Sequence, residues 1–203
     1  MYRLGLTGSI ATGKSTVLAA FADHGVPTFS ADEAVHRLYR GAAVAPVEAA
    51  FPGVTRDGEI DRQALSAQLL QRPERLAALE AIVHPLVRAE ITAFLETAAA
   101  GGADLAVVDI PLLYENGVDW GFDAVLVTHV DPEIQRQRVL ARPGMTVEKL
   151  EAILARQMPQ AEKIARADHV IDTGKPIAET RAEVADLLTA LRAKASGRQG
   201  EIQ

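Results

Sequence analysis

Short apolar runs alternate with longer stretches of helical periodicity along this chain. Residues 3–6, 27–30, 105–110, 124–130 and 169–172 are rich in Val, Leu and Ile and do not alternate strictly with polar positions. This predicts strands covered on both faces, as in a parallel sheet. The helical stretches between them imply right-handed β-α-β crossovers, and so a three-layer α/β fold around a five-stranded parallel sheet.

Two intervals depart from simple alternation. Residues 31–102 show helical spacing, as in Leu65, Leu69, Leu76, Leu79, Ile82 and Val83, and predict no strand. Turn signals at Pro52-Gly53, Asp57-Gly58 and Gly101-Gly102 punctuate the stretch. It is too long for a connecting loop and reads as a helical subdomain that holds a second substrate. Residues 142–165 form the second insertion, opened by Pro143-Gly144, with Thr146 as a helix N-cap and a helix running to Gln157 before Pro159. Its Arg142, Lys149, Arg156 and Lys163 suit a hinged lid. The expected organisation is one domain, with a core of residues 1–30, 103–141 and 166–203 and a frayed end from about Ala195.

The chemistry starts directly after the first strand, at Gly8-Ser9-Ile10-Ala11-Thr12-Gly13-Lys14-Ser15-Thr16. This is the G-x-x-x-x-G-K-[ST] phosphate loop of P-loop NTPases, between a strand and a helix. Its backbone amides can form a nest for polyphosphate oxygens, with the positive end of the next helix aimed at the same anion. Lys14 adds a point charge at the β- and γ-phosphates, and the Ser15 hydroxyl is a natural Mg²⁺ ligand.

Other residues carry two readings each. Asp32, after the second strand, suits a base on an acceptor hydroxyl or an N-cap for the helix beginning near Glu33. Asp109 ends an apolar strand as a Walker B carboxylate does, holding Mg²⁺ or the acceptor, or else caps a loop. Arg138 and Arg142 share a helical face, and with Arg156 could neutralise a transferring phosphoryl group; alternatively they form a solvated face paired with glutamates. His84, before Pro85, either touches an acceptor or caps a helix end.

Composition narrows the class. A formal net charge of −6 argues against a general nucleic-acid surface. The chain has no cysteine, and its five histidines are scattered, which excludes disulfide, thiolate and zinc–sulfur chemistry. No apolar run approaches the roughly 20 residues of a membrane span. No secretory signal fits ahead of a strand that starts at Tyr2, so a cytoplasmic protein is expected.

Together these elements resemble the dephospho-CoA kinase family. The resemblance rests on the phosphate loop, Ser30-Ala31-Asp32 with His36, Val83-His84-Pro85-Leu86, and Asp109-Ile110-Pro111-Leu112-Leu113-Tyr114-Glu115. Arg156-Gln157-Met158-Pro159 and Val170-Ile171-Asp172 complete it. It implies transfer of the ATP γ-phosphate to the ribose 3′-hydroxyl of dephospho-CoA with Mg²⁺, with Asp32 as base. It also implies that 31–102 binds dephospho-CoA, with His84, Asp109 and Leu113 near the acceptor, and that 142–165 is the lid. ATP would contact Gly8 through Thr16, Arg142 and Arg156. A monomer or weak homo-oligomer is expected, with neither nucleic acid nor membrane as partner. The family pattern has glycine where Ser9 and Ala11 stand, and asparagine where Thr173 stands.

Two rival readings are a nucleoside monophosphate or other small-molecule kinase, and a regulatory NTPase. The long helical insertion with His84-Pro85 speaks against the first. A guanine-reading Asn/Thr-Lys-x-Asp loop is absent from the sequence, in which Asn116 is the sole asparagine.

Overall fold

The computed structural model describes residues 1–70 and 72–200, with side chains through residue 195. In chain order the elements are β1 (Tyr2–Gly8), α1 (Lys14–Asp23), β2 (Thr28–Ser30), α2 (Ala31–Leu38), α3 (Val44–Ala50), β3 (Thr55–Arg56), β4 (Glu59–Ile60) and α4 (Arg62–Leu69). They continue with α5 (Pro73–Ala100), β5 (Leu105–Asp109), β6 (Ala124–His129), α6 (Pro132–Leu140), α7 (Val147–Leu154), α8 (Gln160–Arg166), β7 (His169–Asp172) and α9 (Ile177–Gly200). The chain divides into two compact units, one of residues 30–96 and one of the remainder.

The larger unit is built on a five-stranded sheet of order β2-β5-β1-β6-β7. β1 lies at its centre and pairs in parallel with β5 and β6, with Leu4 opposite both Val107 and Ala124. Tyr2, Leu4 and Leu6 point to one face and pack with Val17 and Phe21 of α1 and Leu188 and Leu191 of α9. Each such side chain contributes roughly 1.5–3 kcal/mol on burial. On the other face, Gly5 leaves room for Phe122, whose ring would lie 2.5 Å from an added Cβ. The chain leaves β1 toward one edge and β5 toward the other, so the loop after β1 sits at a topological switch point. The five expected strands are all present. α9 runs through Gly200, beyond the end expected near Ala195, and residues 201–203 lie outside the described ones.

The smaller unit is mostly helical but holds a hairpin that the helical spacing does not predict. β3 and β4 pair antiparallel, Thr55 with Ile60 and Arg56 with Glu59. Two-residue strands are too short to show alternation. The signal that marks them is Asp57-Gly58, whose φ values of 52° and 81° are those a type I′ turn requires. Glu48 braces the hairpin by accepting from the Gly53 and Val54 amides and the Thr55 hydroxyl. The Thr55 bond, then the Gly53 amide, hold its carboxyl below the usual range.

α5 runs unbroken through Pro85. The ring removes the N–H that would bond the Ala81 carbonyl, but Ala81 and Pro85 are both exposed, so water can satisfy that carbonyl. Val83, Val87, Ile91 and Leu95 recur every four residues on the buried side of the helix and hold it together. His84 therefore sits mid-helix, which removes the reading of it as a helix-end cap.

Candidate active site

The loop between β1 and α1 is shaped by close approach. A Cβ on Gly8 would lie 2.3 Å from the Thr128 hydroxyl oxygen and 2.5 Å from that of Thr12. The Thr12 hydroxyl donates to the Ser9 carbonyl at 2.8 Å and lies 2.9 Å from the Thr128 hydroxyl, which ties the loop to β6. Ala11 and Gly13 are left-handed, with φ of 58° and 79°. Left-handed residues spaced along a turn direct successive N–H groups inward, forming an anion nest. α1 then begins at Lys14 with no side-chain cap and no acidic residue in its first turn, leaving its N-terminal donors and positive dipole end for an anion. Lys14 is half-buried and Ser15 exposed.

A cleft of about 330 Å³ extends from this loop, lined among others by Gly13, Ser15, Arg138, Arg142, Thr173 and Ile177. Arg138 donates to the Thr173 carbonyl at 2.7 Å and to its hydroxyl at 3.2 Å. That hydroxyl in turn donates to the Thr12 carbonyl at 2.9 Å, and the His129 carbonyl lies 3.2 Å from it. Thr173 therefore spends its side chain inside the protein. Arg142 is exposed in the cleft, whereas Arg156 is exposed on the turn after α7 and does not line it.

A family model described as dephospho-CoA kinase matches residues 2–179. The dephospho-CoA kinase of Rhizobium meliloti strain 1021 is 52% identical over 193 residues, 95% of this chain and 100% of its own. The crystal structure of TT1252 from Thermus thermophilus superposes with a TM-score of 0.81 at 33% identity, covering 93% of this chain and 96% of that one. The dephospho-CoA kinase from Campylobacter jejuni gives a TM-score of 0.64 at 26% identity, covering 93% and 96%. This chain belongs to the dephospho-CoA kinase family.

Within that kinase fold, Asp109 closes β5 opposite Leu6 and is buried. Leu113 is buried too, beside Gly5, so its side chain is taken up by packing. In the smaller unit, Asp32 is the second residue of α2 and exposed. The N-cap of α2 is Ser30, whose hydroxyl accepts from the Glu33 amide, so the N-cap reading of Asp32 falls. His84 is half-buried on α5.

The 142–165 stretch differs from the single helix expected. Thr146 caps α7 as foreseen, accepting from the Lys149 amide at 3.3 Å, but α7 ends at Leu154. Lys163, grouped by sequence with the basic lid residues, is fully buried on α8 and bonds Glu115 at 2.8 Å. Burial lowers its pKa, and Glu115 pulls the other way. The sequence reading also assigned no role to a set of glutamines at the loop. Gln135 donates to the Ile10 carbonyl at 2.7 Å, and Gln160 donates to Gln135. Gln157 accepts from the Ile10 amide at 3.0 Å. Uncharged side chains scattered over three segments leave no periodic or motif signal, although Gln157 lies within the Arg-Gln-Met-Pro run.

Proposed function

We propose that the γ-phosphate of ATP passes directly, in line, to the ribose 3′-hydroxyl of dephospho-CoA, with Asp32 as the base on that hydroxyl. The observation that carries the donor half is the cradle at Gly8 and Gly13, where no Cβ fits, leading into the uncapped start of α1. Lys14 and the loop amides from Gly8 to Thr16 hold the β- and γ-phosphates. Arg138 and Arg142, with Arg156 brought in as the 142–165 lid closes, offset charge as it spreads in the transition state.

The Ser15 hydroxyl and Asp109 carboxylate are hard oxygen donors and suit Mg²⁺, which when bound with the phosphates would neutralise part of their charge. Asp32 follows the carboxyl end of β2, the end at which parallel sheets bind ligands, and its carboxylate has no hydrogen-bond or ion-pair partner among the described residues. An unencumbered carboxylate can orient the acceptor and take its proton. Residues 31–102 bind dephospho-CoA, with His84 close to it and Asp109 and Leu113 at the acceptor side. Residues 142–165 act as the lid. The enzyme works in the cytoplasm as a monomer or weak homo-oligomer, without nucleic acid or membrane. No helix of the described residues is long and apolar enough to cross a membrane.

The test is incubation with Mg-ATP and dephospho-CoA, read by mass spectrometry for one added phosphate and its position. Asp32→Asn should lower kcat by about a hundredfold or more with ATP binding unchanged. Full turnover in that variant removes Asp32 as the base, and absence of product with the natural chain removes the substrate assignment.

A further inference from the structure

The Ile10 peptide is held at both ends. Its carbonyl takes a hydrogen bond from the Gln135 side chain, which is fixed in turn by Gln160, whose side-chain Oε1 accepts from the Val130 amide at 3.2 Å. Its N–H is bonded by the side-chain oxygen of Gln157 at 3.0 Å. Ile10 lies in the phosphate loop immediately before left-handed Ala11, and its N–H is one of the loop amides that the proposed function gives to phosphate. A backbone N–H has one hydrogen to give.

Gln157 reaches this position from a fixed base. The next residue, Met158, donates its amide to Glu115 at 2.8 Å, and buried Lys163 clamps the same carboxylate oxygen at 2.8 Å. The main chain beside Gln157 is thus anchored, while its half-buried side chain retains rotatable bonds.

We propose that Gln157 is a positioning residue that competes with the nucleotide's phosphate for the Ile10 amide, and so sets how tightly the loop holds ATP and when the Gln157 side chain lets go of the loop. The inference rests on reading the loop as the ATP site. Phosphate binding turns the Gln157 side chain out, breaking the one contact described between residue 157 and the loop, while the Glu115 anchor stays in place. ATP affinity is lower than the loop alone would give, and the Gln157 side chain leaves the loop only when a phosphate has taken its place.

Two substitutions with opposite expected signs test this. Gln157→Met removes the competing acceptor at similar volume, and Mg-ATP should bind about three- to tenfold more tightly, the worth of one net hydrogen bond. Gln157→Glu keeps an acceptor, strengthens it with charge and repels phosphate, so Kd for Mg-ATP should rise by about tenfold. KM for ATP should follow Kd in both variants, with KM for dephospho-CoA unmoved. Isothermal titration calorimetry with Mg-ATP gives the affinities, and thermal melts verify that the variants fold. A merely structural Gln157 would weaken ATP binding in both; that result, or unchanged affinity in Gln157→Met, overturns the proposal. If the natural chain fails to bind Mg-ATP, the ATP-site reading fails and the proposal goes with it. If the natural chain binds and Gln157→Met does not bind more tightly, only the proposal fails.

Discussion

Arg138 grips Thr173 with both arms of its guanidinium, and the Thr173 hydroxyl passes the contact on to the carbonyl of Thr12. A residue of α6 thus holds the phosphate loop through the turn after β7. The fork geometry matters here as well as the charge, because a lysine ammonium cannot reach both oxygens from one fixed plane.

Arg138→Lys should therefore behave more like Arg138→Ala than like the natural protein. We expect kcat/KM for ATP to fall at least about tenfold in both, with about 1–3 kcal/mol lost in urea unfolding. Retention of activity by the lysine variant would mean that charge alone is used.

Ala11 adopts a left-handed φ of 58°, a conformation that costs a non-glycine residue roughly 1–2 kcal/mol. Ala11→Gly relieves that strain, but glycine loses more chain entropy on folding, which takes back about 0.5–1 kcal/mol. The net expectation is a stabilisation of up to about 1 kcal/mol, measured by the urea midpoint. Gly8→Ala acts the other way, since its methyl would overlap the Thr128 and Thr12 hydroxyls, and calorimetry should find ATP binding lost.

Glu115 and Lys163 form a buried pair, so removing one partner strands the other. Glu115→Gln or Lys163→Met alone should cost about 3–5 kcal/mol, whereas the double variant should recover a large part of the loss. A double-mutant cycle by urea denaturation measures this, and additive losses would contradict it.

His169 supplies an acid-side instability. Burial first, and the Lys194 charge second, hold its imidazole below the usual 6.5, with Asp168 opposing. The unfolded chain then binds more protons than the folded one, so the stabilisation is present above about pH 6.5 and is lost as pH falls through the lowered value. Between about pH 7.5 and about pH 5.5 the natural protein should lose more stability than His169→Gln does. Equal losses would show that other groups govern the acid limb.

The central strands β1, β5 and β6 were legible because they are buried along almost their whole length, which leaves Val- and Leu-rich runs. Edge strand β7, by contrast, has Val170 exposed and is marked by its short apolar pair alone. The β3–β4 hairpin left only its Asp57-Gly58 turn, since two-residue strands carry no period. Pro85 looked like a helix boundary because the local cost of proline is visible in sequence, while the packing of Val83, Val87 and Ile91 that overrides it is not. Lys163 looked like a lid cation for a similar reason: its partner Glu115 is 48 residues away in sequence.

The sequence by itself determined the phosphate loop, the parallel α/β core and the family, because these depend on residues contiguous in the chain or recurring at a regular period. Only the tertiary structure decided which side chains hold the loop. Thr128, Gln135, Gln157 and Thr173 reach it from four separate segments through hydrogen bonds, and such bonds require distance and direction that no spacing along the chain encodes.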